Sequence, residues 1–103
     1  MSKPIATRVL YNVEDKSEKY SVHVFAPVLT PNGVYQCKIR IDGAPEGLNE
    51  MDIGGTDGYQ ALLLAIESLY EMVEVFNKNF MNSKLRWNED SVLDLGFSVS
   101  TDD

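Results

Sequence analysis

This sequence is short of the residues from which small chemical sites are usually built. Cys37 is its one cysteine and His23 its one histidine, so no disulfide can close within the chain and the usual zinc ligand sets cannot be assembled. A Cys-His pair is the one nucleophilic grouping left. Its members fall in strand-like runs with opposite side-chain parity, which reads Cys37 as buried packing. Long apolar runs are missing too. The longest, Ala61 to Ile66, is far short of the ~18 residues of a membrane span, and Pro4, Thr7 and Arg8 interrupt any secretory leader, so a cytoplasmic location is expected. Cations are scarce: nine Lys and Arg stand against sixteen Asp and Glu, a net charge of −7. The imbalance is uneven. Residues 1 to 43 hold six Lys/Arg and four Asp/Glu, whereas residues 44 to 103 hold three and twelve. Such a potential repels nucleic-acid phosphates and attracts basic partners.

What is present is ordinary globular material. A chain of 103 residues with 44% apolar and 24% charged side chains can bury a packed core, and no linker or repeat divides it, so residues 1–103 are read as one domain. Ile5 to Val13 alternates as a half-buried strand, with Ile5, Thr7, Val9, Tyr11 and Val13 on one side and Ala6, Arg8, Leu10 and Asn12 on the other. The charged stretch Glu14 to Lys19 reads as a loop. Tyr20 to Thr30 is a second strand with Tyr20, Val22, Val24 and Ala26 on one face, and Pro27 should interrupt its pairing because it has no N–H to donate. Thr30-Pro31-Asn32-Gly33 is a hairpin signal. Val34 to Asp42 follows, with Tyr35, Cys37, Ile39 and Ile41 on one face and Gln36, Lys38 and Arg40 on the other. Asn49 to Ile53 reads as a short edge strand whose acids deter edge pairing.

One helix is expected from Gly58 to about Asn79. Asp57 with Gln60 three residues later supplies a capping box, or Thr56 caps instead. Leu62, Ile66, Leu69, Val73, Phe76 and Phe80 recur at helical spacing as the sheet-facing side. A second, narrower stripe of Ala61, Leu64, Ser68 and Val75 projects away from it, beyond the row Glu67, Glu71, Glu74 and Lys78. Two covers for Leu64 and Val75 are open: the C-terminal segment carrying Leu85, Trp87, Leu93, Leu95 and Phe97, or a symmetric helix-to-helix dimer.

Candidate chemistry is thin. Gly54-Gly55-Thr56-Asp57-Gly58 opens the helix, but the P-loop continuation is missing and Asp57 puts a negative charge where a phosphate would sit, so capping is the reading. Glu67 and Glu71, with Glu74 beside them, are a solvated acidic face or a binding face for a basic partner. Neither Glu46, Glu50 and Asp52 nor Glu89, Asp90 and Asp94 has the spacing of a calcium loop, and no catalytic residue, metal site or cofactor is expected. His23 is expected on the sheet's outer face with Arg8, Lys38 and Arg40, ion-paired to Glu50 and Asp52 or docking an acidic partner.

Three motifs carry a resemblance: Tyr35 to Gly43, with its Cys37; Gly55-Thr56-Asp57-Gly58-Tyr59-Gln60-Ala61-Leu62-Leu63-Leu64-Ala65-Ile66; and Leu85-Arg86-Trp87 with Asp94-Leu95-Gly96-Phe97. Together they resemble a bacterial family known only as a domain of unknown function, over about residues 33 to 97. Ser98 stands where proline often follows in that family. The resemblance implies the fold and a bacterial origin, and no activity. The expected architecture is α+β, an antiparallel sheet of three to four strands packed on one long helix with a short C-terminal segment folding back. The expected function is a non-enzymatic protein-binding module of the immunity or antitoxin kind, with Glu67, Glu71, Glu74, Leu64 and Val75 as the partner-binding residues. Alternatives are an accessory subunit or housekeeping homodimer, and a small-ligand-binding domain or small enzyme with a pocket the sequence does not advertise.

Overall fold

Period-two alternation, broken once by proline, organises the first half of the chain. A computed structural model describes residues 3–86. It places β1 at Pro4–Asn12, β2 at Asp15–Phe25, β3 at Val28–Leu29, β4 at Tyr35–Asp42, β5 at Glu50–Gly55, α1 at Gly58–Phe80 and β6 at Leu85–Arg86. All strand pairs are antiparallel and form one sheet in the order β3-β4-β2-β1-β6, with β5 also on β4. β2 and β3 share one edge of β4 and β5 takes the other.

Among the described residues the sheet thus has six strands, where three to four were expected. Pro27 accounts for one addition. Val24 faces Ile39 and Val28 faces Gln36, so the chain gains one residue relative to β4 across Ala26-Pro27, and one long strand becomes β2 and β3. β6 accounts for the other: it pairs Arg86 with Tyr11 and Leu85 with Asn12 on the edge of β1. The charged run from Asp15 to Lys19 is strand and not loop. Only Val13 and Glu14 make the turn, because Asn12 pairs with Asp15 and accepts the Glu14 N–H on its side-chain oxygen at 2.8 Å. The Thr30 to Gly33 hairpin forms as expected, with Thr30 N–H donating to Val34 O at 2.8 Å and Gly33 at φ +86°.

Helix and sheet meet through Leu10, Val22, Val24, Cys37, Ile39 and Ile41 on one side and Ala61, Ala65, Leu69, Met72, Val73 and Phe76 on the other. Burying each large member contributes roughly 1.5–3 kcal/mol. The helix is unbroken and its bounds agree with the sequence reading, but its buried face is rotated from the expected one. Leu69, Val73 and Phe76 are buried as expected, while Ile66 and Phe80 are exposed and Leu62 only packs against the core's margin. Ala61, assigned to the outward stripe, is fully buried. Gly55 explains the rotation: its Cα faces the backbone of Ala61 so closely that a β-carbon there would lie 2.4 Å from Ala61 N. Small residues at Gly55, Ala61 and Ala65 let the helix settle onto β4 and β5, and close packing outweighs the larger side chains at Ile66 and Phe80.

β1 holds a second inversion. Val9 and Val13, from the side richer in apolar residues, are exposed, as is Ile5 at the irregular start of the strand, and the core receives Leu10 from the opposite side. Arg8 shares that inner side, since it pairs with buried Val22. It is therefore not part of an outer cationic patch with His23, Lys38 and Arg40. The segment with Trp87, Leu93, Leu95 and Phe97, expected to cover Leu64 and Val75, lies outside the described residues.

Candidate functional site

The N-terminus of α1 fixes the azimuth of everything on the helix. Asp57 is the N-cap, accepting the Gln60 N–H at 2.8 Å, and Gln60 returns its side-chain oxygen to the Thr56 N–H at 2.7 Å. The reciprocal pair of a capping box is present, shifted back one residue at its second bond. At the other end Asn77, the buried polar residue of the helix, binds the chain that leaves it. Its side-chain oxygen accepts the Leu85 N–H at 2.9 Å, and its carbonyl accepts N–H groups of Met81 and Ser83 at 3.2 and 2.9 Å.

Between these anchors the outward helix face carries Leu64 and Val75, exposed by 39% and 42%, beside exposed Glu67 and Glu71 and half-buried Glu74. Leu63 adds a further exposed apolar side chain. All five residues proposed from sequence as partner-binding are thus on the helix side away from the sheet. Ala61 is removed from that stripe. The surface combines exposed apolar side chains with negative charge.

A second constellation crosses the outer sheet face, where facing residues put Thr7, His23 and Arg40 side by side. The Thr7 hydroxyl and His23 Nδ1 share a hydrogen bond of 2.8 Å, and His23 Nε2 donates to Asp42 Oδ2 at 2.9 Å. Arg40 Nε donates to Asp42 Oδ1 at 2.8 Å, with the guanidinium 5.1 Å over the Phe25 ring. Burial tends to raise the carboxyl pKa of Asp42. The His23 hydrogen bond and the neighbouring charges outweigh it, and the net direction is down. A hydroxyl, an imidazole and a carboxylate in series resemble a nucleophile relay. Here they stand in a row across the outer sheet face, on three neighbouring strands. The chain of bonds ties β1, β2 and β4 together. Lys38 meets Glu50 at 3.5 Å, the surface ion pairing expected from sequence.

Cys37 is fully buried, its thiol donating to Phe25 O at 3.0 Å, and burial pushes its pKa up. It has the character of a packing residue and not a nucleophile. Tyr20 donates its phenol to Glu18 and packs edge-on against Phe76, and its pKa is pushed up to about 12 by that bond, by burial and by the carboxylate's charge. No three His, Cys, Asp or Glu among the described residues are grouped to hold a metal ion.

The sequence offered no sign of two open grooves. One, of about 410 Å³, lies between β1 and α1 and is lined by Ile5, Ala6, Arg8, Val22, Leu62 and Ile66 among others. The other, of about 500 Å³, lies on the outer sheet face by Phe25, Gln36, Lys38 and Arg40. Both fall within the ~300–1,000 Å³ range of ligand sites. The inward parity of Arg8 and the exposure of Ile66 create the first. Both depend on which face of an element is covered, which periodicity does not specify. No described helix is long and apolar enough to cross a membrane.

Architecture and surface together define a small α+β domain, one helix on an antiparallel sheet. The chain belongs to the family described as a domain of unknown function, DUF6968, whose model matches residues 6–99. No curated protein and no solved structure matches it.

Proposed function

We propose that this chain is a non-enzymatic protein-binding module that docks a basic partner on the outward face of α1, in the manner of an immunity or antitoxin protein. The observation that carries the reading is the exposure of Leu64 and Val75 on the same face as Glu67, Glu71 and Glu74, in a chain of net charge −7. Apolar side chains at the centre of such a face supply affinity, and the acids around them steer a cationic partner into register. A homodimer through this stripe is the competing reading. Symmetric pairing would bring two rows of glutamates together with only Lys78 of each copy to offset them, and like-charge contacts of that kind are costly. A partner of opposite charge has no such penalty.

A larger basic protein encoded immediately upstream is the partner this reading expects, and the test is direct titration of the purified chain with such a neighbour's product. Binding should weaken steeply as salt rises. Glu67→Lys with Glu71→Lys should reduce affinity at least about tenfold, while the melting temperature stays near that of the parent. Unchanged affinity in this variant would exclude the acidic face as the docking surface. Light scattering of the parent and Leu64→Glu decides the dimer: a larger mass for the parent that falls in the variant would favour self-association.

A further inference from the structure

On one side the sheet ends in β1 and β6, and on the other in β5, which among the described residues pairs with β4 alone. The alternation of an antiparallel ladder fixes where the backbone of β5 points. Ile41 N–H donates to Asn49 O at 2.7 Å, and the next pair along is Arg40 with Glu50. Bonded and non-bonded pairs alternate, so Met51, Ile53 and Gly55 turn their N–H and C=O groups to β4, while Glu50, Asp52 and Gly54 turn theirs to the open edge. All three of these outward residues are exposed.

Side chains on β5 alternate as well. Ile53 and Met51 sit opposite Cys37 and Ile39, both fully buried, and so lie on the helix side; Asp52 and Glu50 sit opposite Lys38 and Arg40 on the outer face. The helix adds an apolar border to this edge. Leu62 and Ile66 line the groove on the β1 side of α1, and at about 100° per residue Leu64 falls on the opposite flank, toward β5. Leu64 and Met51 are thus on the same side of the sheet, exposed by 39% and 42%.

We propose that β5 accepts an added strand from the basic partner, an extended segment whose alternate side chains are cationic toward Glu50 and Asp52 and apolar toward Met51 and Leu64. This rests on the basic partner proposed above and supplies the form of its docking segment. Backbone bonds to Glu50, Asp52 and Gly54 hold the segment, and its alternation fixes which face it turns to the helix. Charge selects the occupant. Two copies joined through β5 would set the acids of one edge against those of the other, an opposition that disfavours a second copy. The chain's own residues 87–103 hold five Asp and Glu and no Lys or Arg, and the described chain ends at Arg86 on the far edge of the sheet. Lys38 is engaged by Glu50 at 3.5 Å, and Asp52 has no ion pair among the described residues, which leaves its carboxylate for an incoming cation.

Amide hydrogen exchange read by NMR tests this, with a short peptide alternating lysine and valine as the probe. In the free chain the Asp52 and Gly54 amides should exchange quickly and those of Met51 and Ile53 slowly. Saturating peptide should slow Asp52 and Gly54 at least about tenfold and leave Met51 and Ile53 unchanged. Methylating alternate backbone nitrogens of the peptide should weaken binding about tenfold in one alternation and little in the other, because only one set of its N–H groups meets β5. Slow exchange at Asp52 and Gly54 in the free chain, no binding of the peptide, or binding that leaves those two amides fast would each overturn the proposal. Its failure is separable from that of the helix-face reading. Glu67→Lys with Glu71→Lys changes α1 alone and should leave the peptide's protection of Asp52 and Gly54 in place, whereas Asp52→Lys should weaken the peptide about tenfold. A basic partner that binds the chain without slowing those amides would sink the added strand and leave docking on α1 standing.

Discussion

Gly55→Ala should be among the most damaging single-methyl changes in this molecule, although the residue is neither in a turn nor at positive φ. A methyl group at Gly55 would lie 2.4 Å from Ala61 N, 2.7 Å from Ala61 Cα and 3.0 Å from Ala61 Cβ. The first two are backbone atoms of the helix's first turn, and Ala61 N–H is already bound to Asp57 O at 3.0 Å. No rotamer change can relieve the overlap, so α1 must move off β5 and the fit of Ala61 and Ala65 against the sheet is lost with it. Overpacking of a closed contact costs about 1–3 kcal/mol, which for a domain of this size lowers the melting temperature by roughly 4–8 °C per kcal/mol. Gly54→Ala is the matched control. Its added methyl would meet only Tyr35 O, at 3.8 Å, an ordinary contact, and removing glycine entropy from the unfolded chain is worth about 0.4–1 kcal/mol in its favour. Urea denaturation followed by circular dichroism should therefore rank Gly54→Ala at or above the parent and Gly55→Ala well below it, with similar slopes. If the two variants lose equal stability, or Gly55→Ala loses none, the account of why the helix sits where it does is wrong.

Three further perturbations probe the rest of the frame. Asn77→Ala removes the acceptor of the Leu85 N–H in a buried site, so denaturation should report a loss of about 1–3 kcal/mol. The Asp42 carboxyl, lowered in the folded state, stabilises the fold above its unfolded pKa, and the contribution disappears as pH falls through its lower folded value. Asp42→Asn should thus cost a few tenths to about 1 kcal/mol at neutral pH, since the side chain is 51% exposed, and nothing in strong acid. A deficit that is constant from neutral pH to acid would contradict the assignment. Tyr20, raised to about 12, contributes stability that is complete below the usual phenol pKa and is lost as pH rises through its folded value. Ultraviolet titration should find one phenol ionising near pH 12, and Glu18→Gln should bring it down toward 10.

Features written by local chemistry were legible in the sequence. The Asp57 cap, the helix ending near Asn79, the inward run of Cys37, Ile39 and Ile41, the break at Pro27 and the Asn-Gly hairpin each depend on residues within a few positions of one another. The acidic outward face was legible for the same reason, since Glu67, Glu71 and Glu74 are separated by helical repeats alone.

Tertiary structure alone decided which of two chemically plausible faces would be covered. Hydrophobic count favoured Ile5, Val9 and Val13 on β1 and Ile66 and Phe80 on α1, yet the core took Leu10, Ala61 and Ala65. The Gly55 to Ala61 approach made that choice, and it joins segments whose distance of contact is invisible in either one's periodicity. The inward turn of Arg8, the groove beside it and the pairing of β6 with β1 follow from the same rotation and register. Periodicity specifies that a strand or helix has sides. How closely two backbones can approach, set here by glycine and alanine, specifies which side is inside.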